Sequence, residues 1–320
     1  MKAIFLRAII VFAGMFVVQA AGASDIHFAS GNSALRIPFE LAGNDHICLH
    51  VRINDSAPLL FILDTGASST TLSERMAKTF GLNYQLFGKA SDATGVTPPS
   101  VYLATDNHTV SLPGVELADR KLMIMPMDST NECLKNGTRT SLSATQIDGI
   151  LGADFFRDLV IVIDYRKKLI DLYDPSSYKY SGRGETIPLE IEPGFTFVRA
   201  KITGPRGRPV AARLVLDTGG GMDVALNQTF SNKHKLFSGV KVLKTFTDCG
   251  AGGWAKNTAS LGLLRSLQLG GVNIKDPAGM FFQVPEIPDS DGILGDTILS
   301  RFKVIFDYSR SRMILEKQKQ

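Results

Sequence analysis

A long internal repeat limits what this chain can fold into more than any other feature. Leu59-Leu60-Phe61-Ile62-Leu63 runs into Asp64-Thr65-Gly66, and Leu214-Val215-Leu216 runs into Asp217-Thr218-Gly219. A second landmark follows each copy: Asp148-Gly149-Ile150-Leu151-Gly152, then Asp291-Gly292-Ile293-Leu294-Gly295. Upstream, Ile37-Pro38-Phe39-Glu40-Leu41 is matched by Ile187-Pro188-Leu189-Glu190-Ile191. Downstream, Val160-Ile161-Val162-Ile163-Asp164-Tyr165 is matched by Lys303-Val304-Ile305-Phe306-Asp307-Tyr308. The period is far longer than that of a solenoid, so the repeat predicts a duplicated domain, two lobes of similar build.

Within each lobe, short β-branched and aromatic runs are separated by turn signals, which predicts a mainly β fold. Helix signals are few, at 71–80, 154–157 and 297–301. An acid at the end of an apolar strand is costly to bury without a partner. Two such acids in matching settings, 153 positions apart (217 − 64), predict a pair that meets in space.

Residues 1–23 read as a secretory signal. Lys2 and Arg7 give a positive start, 8–18 is unbroken apolar, and Ala21-Gly22-Ala23 is a small-x-small cleavage site. The alternatives are a buried helix or an uncleaved anchor, but the run is short for the ~20 residues of a span. The expected product is exported, periplasmic or secreted, with no stable membrane association once the signal is removed. Then follow a polar extension at 24–34, the first lobe at 35–173, a polar linker at 174–184 and the second lobe at 185–320.

The formal charge is +4, and removing Lys2 and Arg7 leaves +2, which gives no basis for a nucleic-acid partner. Cys48 lies in a strand-like run and reads as a small buried hydrophobe. Cys133 and Cys249 lie in loop-like stretches and could pair, though nothing requires it. The cysteines and the five scattered histidines show no ligand spacing, so neither metal nor cofactor is expected. The polar stretch 128–146 reads as a surface insertion, and Arg166-Lys167-Lys168 and Arg310-Ser311-Arg312 read as solvated hairpin turns.

The doubled Asp-Thr-Gly after an apolar strand, each with its downstream Ile-Leu-Gly, resembles the lobe signature of aspartic peptidases. The order resembles the two-lobed pepsin-like enzymes. The short lobes and Asp64-Thr65-Gly66-Ala67-Ser68 are more similar to the retropepsins, and the nearest resemblance is to exported retropepsin-like peptidases of bacteria. That resemblance implies acid-protease-type β-barrel lobes with an active-site cleft between them. It implies an endopeptidase, monomeric in action, cutting a peptide or protein substrate with no cofactor.

Asp64 and Asp217 would be catalytic. Thr65, Gly66, Thr218 and Gly219 would support them, the threonines bonding each other's backbone and the glycines turning the chain sharply. Gly152 and Gly295 would let a strand pass close beneath. Asp148 and Asp291 read as turn anchors. Flap candidates are Gly252, Gly253 and Trp254 at a hairpin tip in 248–254, with Gly95 and Tyr102 at the matching place in the first lobe. Trp254 reads equally as an ordinary packed aromatic, and for Tyr102 that reading is favoured, because Pro98-Pro99 disturbs the strand pattern. One departure stands out: pepsins commonly carry a hydroxyl residue after Asp-Thr-Gly, where this chain has Ala67 and Gly220. Two rival readings remain open at this level: a non-catalytic peptide- or protein-binding module with the same fold, and lobes that pair with their counterparts on another chain.

Overall fold

The computed structural model describes residues 10–11, 25–43, 46–92, 99–135, 146–250, 253–281 and 289–318. The segment expected to be a signal, 1–23, lies outside the described residues apart from 10–11, as do Gly95 and Gly252. Among the described residues no helix is long and apolar enough to cross a membrane. The chain is mainly β, with a curled half-barrel sheet.

Strand Leu59–Leu63 is buried along its whole length. A run of five apolar residues without alternation suits a strand covered on both faces. It pairs in parallel with Gly149–Leu151, Phe61 opposite Gly149 and Leu63 opposite Leu151. Gly149–Leu151 in turn pairs antiparallel with Thr71–Ser73. The second half of the chain uses the same pattern. Val210–Asp217 runs parallel to Gly292–Gly295, Leu214 opposite Gly292 and Leu216 opposite Leu294. Gly292–Gly295 then pairs antiparallel with Val224–Leu226. In both halves the apolar strand delivers its Asp-Thr-Gly to the same point, where the landmark strand ends.

The two halves share one sheet at their base. Val160–Asp164 pairs antiparallel with Phe302–Asp307, Val162 opposite Ile305. Each strand continues into a hairpin, with Leu169–Tyr173 and with Arg312–Lys317. Both hairpins turn through a non-glycine residue in the left-handed region, Lys168 and Ser311. Each turn carbonyl accepts a backbone N–H: Phe39 N at 3.1 Å from Lys168 O, and Leu189 N at 2.9 Å from Ser311 O.

Several sequence expectations need correction. From Asp25 on, the polar extension is part of the fold. Ile26–Phe28 pairs with Val115–Arg120, and Ser33–Pro38 pairs with Leu169–Tyr173, so backbone ladders fix it. The stretch 128–146 is not a bare surface loop: it opens with helix Asp128–Lys135, whose Cys133 and Leu134 are buried. The linker is polar in composition, yet its Tyr178 and Tyr180 pack on Val160, Val162, Ile305 and Ile314 of the shared sheet. The second basic turn is not simply solvated either. Arg310 and Arg312 both bond the fully buried Asp307, Arg312 Nε at 2.8 Å.

Candidate active site

The strand ends place Asp64 and Asp217 at the junction of the two halves, 3% and 0% exposed. Their carboxyl groups lie within hydrogen-bonding reach of each other. What holds the loops together is a reciprocal threonine contact. Thr65 N donates to Thr218 Oγ1 at 3.0 Å, and Thr218 N donates to Thr65 Oγ1 at 3.0 Å. Each hydroxyl donates onward across the junction, Thr65 Oγ1 to Leu216 O and Thr218 Oγ1 to Leu63 O, both at 2.9 Å. All four bonds are buried, so each donor and acceptor among them depends on the opposite half.

The glycines work by space and not by a left-handed turn. Among the described residues neither Gly66 nor Gly219 has positive φ. A Cβ on Gly66 would sit 2.8 Å from Asp217 Oδ1, and one on Gly219 would sit 2.5 Å from Asp64 Oδ2. Each glycine is therefore flattened against the other half's aspartate. Their N–H groups serve their own loops, Gly66 N to Asp64 Oδ1 at 2.7 Å and Gly219 N to Asp217 Oδ1 at 2.8 Å. Gly152 and Gly295 behave as expected: a Cβ would meet Ser69 backbone at 2.5 Å in one case and Gly220 O at 2.5 Å in the other.

The two carboxyls are unequal. Burial raises Asp64 above the ordinary carboxylate range, opposed by hydrogen bonds from Asp217 and from the N–H groups of Gly66, Ala67 and Gly219. Asp217 is pushed well above that range, first by burial, then by the Asp64 charge and the hydrogen bond between the pair. Asp217 Oδ2 is buried, and no N–H or O–H of the described residues donates to it. Asp64 is thus the better supplied with donors, and the pair shares its proton. Two buried carboxyls in contact cannot both ionise, as is established for aspartic proteases as a class.

Gly220 gains a physical reason here. A Cβ at this position would lie 2.7 Å from Asp217 Oδ2 and 2.8 Å from Met222 Cε. The departure from a hydroxyl residue is thus a fit to crowding at Asp217. Sequence reading saw the missing hydroxyl and not the missing room. It also missed Tyr165, whose hydroxyl donates to Asp296 Oδ1 from the opposite half, while Asp296 N donates to Gly220 O at 2.8 Å.

Asp148 and Asp291 stand away from the pair as anchors. Leu60 N donates to Asp148 Oδ2 at 3.1 Å, and Arg213 N donates to Asp291 Oδ2 at 2.8 Å. Each anchored N–H stands four residues before its Asp-Thr-Gly. Of the flap candidates, Tyr102 is a packed aromatic. It lies in strand Ser100–Ala104, rests on the core and meets Tyr84 edge-on at 5.3 Å. Gly253 and Trp254 begin strand Gly253–Leu263 of a hairpin with Val242–Gly250, and Trp254 is 40% exposed. Cys133 and Cys249 are disulfide-bonded, and Cys48 is free and buried. Among the described residues no group of three or more His, Cys, Asp or Glu could hold a metal ion.

A mainly β chain thus brings two Asp-Thr-Gly loops together around a buried carboxyl pair. Residues 49–155 match the family model described as aspartyl protease, a stretch that holds Asp64 and ends before Asp217. The match supports peptidase activity in the coarse sense. No curated protein matches the chain.

Proposed function

We propose that the chain is an exported aspartic endopeptidase of two homologous lobes, 35–173 and 185–320, acting as a monomer through Asp64 and Asp217. The observation that carries this reading is the contact between the two carboxyls, set by the Thr65–Thr218 bonds, with both held above the ordinary carboxylate range by burial. The disulfide between Cys133 and Cys249 suits an oxidising compartment and supports export.

In this mechanism ionised Asp64 takes a proton from a water as it attacks the substrate carbonyl. Protonated Asp217 hydrogen-bonds the carbonyl oxygen and stabilises the charge that develops there. Collapse of the tetrahedral intermediate breaks the C–N bond, and the leaving amine takes a proton from the pair. Burial serves this chemistry, because it keeps the pair singly protonated towards neutral pH.

The binding-module reading rested on Gly220-Gly221, and the crowding at Asp217 Oδ2 gives Gly220 a steric reason. The test is peptide cleavage by the chain beginning at Ser24, with and without a peptide whose scissile carbonyl is replaced by a secondary alcohol. The expected result is cleavage, blocked by the alcohol, which mimics the tetrahedral intermediate. Peptide binding without cleavage at any pH would overturn the proposal in favour of the module.

A further inference from the structure

The hairpin of Val242–Gly250 and Gly253–Leu263 is fastened to its own half only near its base. Ser260–Leu263 pairs with Ala278–Phe281, and Phe246 and Ala259 seat in the core. Beyond that point, among the described residues, the two strands pair with each other alone. A free two-stranded ribbon is marginally stable in water. This one is not free, because it reaches the other half of the chain. Helix Asp128–Lys135 contacts both hairpin strands, and Cys133 on that helix is bonded to Cys249, Cα to Cα 5.8 Å. Both sulfur-bearing residues are buried. Across the hairpin, Cys249 is paired with Trp254, so the disulfide also fixes where the exposed indole stands.

The consequence is mechanical. The halves are already joined at the shared sheet and at the threonine contact. The disulfide adds a third join, made by the outer part of a ribbon that its own sheet holds near the base. We propose that the Cys133–Cys249 bond turns this hairpin into a fixed strap between the halves, that the strap places Trp254 against bound peptide, and that its reduction by a dithiol releases the strap and weakens substrate binding while leaving the aspartate pair intact. The substrate part rests on the peptidase reading; release of the strap does not. In the redox step the S–S bond breaks and two protein thiols form. The dithiol supplies two electrons and two protons and becomes a disulfide itself. The third thiol does not interfere, since Cys48 is buried and burial pushes its pKa up to about 12, which keeps it from attacking as a thiolate.

Trp254 is the single tryptophan of the chain, so its emission reports on the strap directly. The experiment compares the oxidised chain, the chain reduced with dithiothreitol and alkylated, and the Cys133→Ser/Cys249→Ser double variant. Acrylamide quenching of Trp254 and the kinetics of peptide cleavage are measured on each. Quenching should rise about twofold when the strap is released, as for any locally opened segment. KM should rise about tenfold through lost pre-organisation, with kcat within about twofold. Unchanged quenching would overturn the strap whether or not the chain cleaves peptides. Raised quenching with unchanged KM would overturn the substrate role of Trp254. A fall in kcat alone would overturn the separation of strap from aspartate pair. Absence of cleavage in every form would refute the peptidase reading and the substrate role resting on it, and quenching would still decide the strap.

Discussion

Thr65 and Thr218 hold each other by paired bonds of equal length, N–H to hydroxyl at 3.0 Å in both directions. Neither aspartate loop is complete without the other half. Thr218→Val removes one hydroxyl and strands two buried groups, Thr65 N–H and Leu63 C=O. Leaving them unsatisfied should cost about 2–4 kcal/mol in urea unfolding, and cleavage should fall with it. Thr218→Ser keeps the hydroxyl and should recover most of both.

Gly220→Ala tests whether crowding explains the residue after the second Asp-Thr-Gly. The new methyl would press on Asp217 Oδ2 and Met222 Cε. The expected outcome is a folded protein with kcat/KM reduced about a hundredfold, the scale of a small misplacement at reacting atoms. Ala67→Gly, which adds room beside Asp64, should be far milder, and steady-state kinetics on the two variants would show it.

Asp291→Ala should separate anchoring from chemistry. The carboxylate accepts Arg213 N at 2.8 Å and holds the strand that carries Asp217. Its removal should cost about 1–3 kcal/mol of stability with kcat changed little. Asp291→Asn keeps one acceptor oxygen and should cost less, as thermal unfolding would report.

Stability should also depend on pH through the buried pair. Asp64 and Asp217 both bind their protons more tightly in the folded chain than in the unfolded one. As pH rises above the ordinary carboxylate range the unfolded chain ionises first, so these groups withdraw stability until the folded pair has ionised too. Asp217→Asn removes that burden. Its melting temperature should gain on the parent's as pH is raised from about 4 to about 7, the range over which displaced carboxyls titrate. A constant difference over that range would show that the pair is not strained by burial.

The repeat made the central geometry legible because strand, turn and landmark recur at matching spacing, and Phe61 and Leu214 occupy the same register against Gly149 and Gly292. The threonine contact was legible only by resemblance, since nothing in Thr65 or Thr218 alone says which carbonyl each will meet. Contacts made at long range were not readable. Helix Asp128–Lys135 is weakly apolar, and its place is set by the disulfide to a residue 116 positions away. Ile26–Phe28 looks too short and polar to be a strand until Val115–Arg120 offers it an edge. Gly220 read as a missing hydroxyl because a sequence shows side chains and not the space around them.

Replacing each aspartate in turn tests the central claim most directly. Asp64→Asn and Asp217→Asn keep size and shape while removing the shared proton. Peptide cleavage would be followed from acid to neutral pH, with folding checked by circular dichroism. Both variants should fold, and both should fail to cleave at any pH at which the parent is active. Cleavage that persists in either variant would contradict the account.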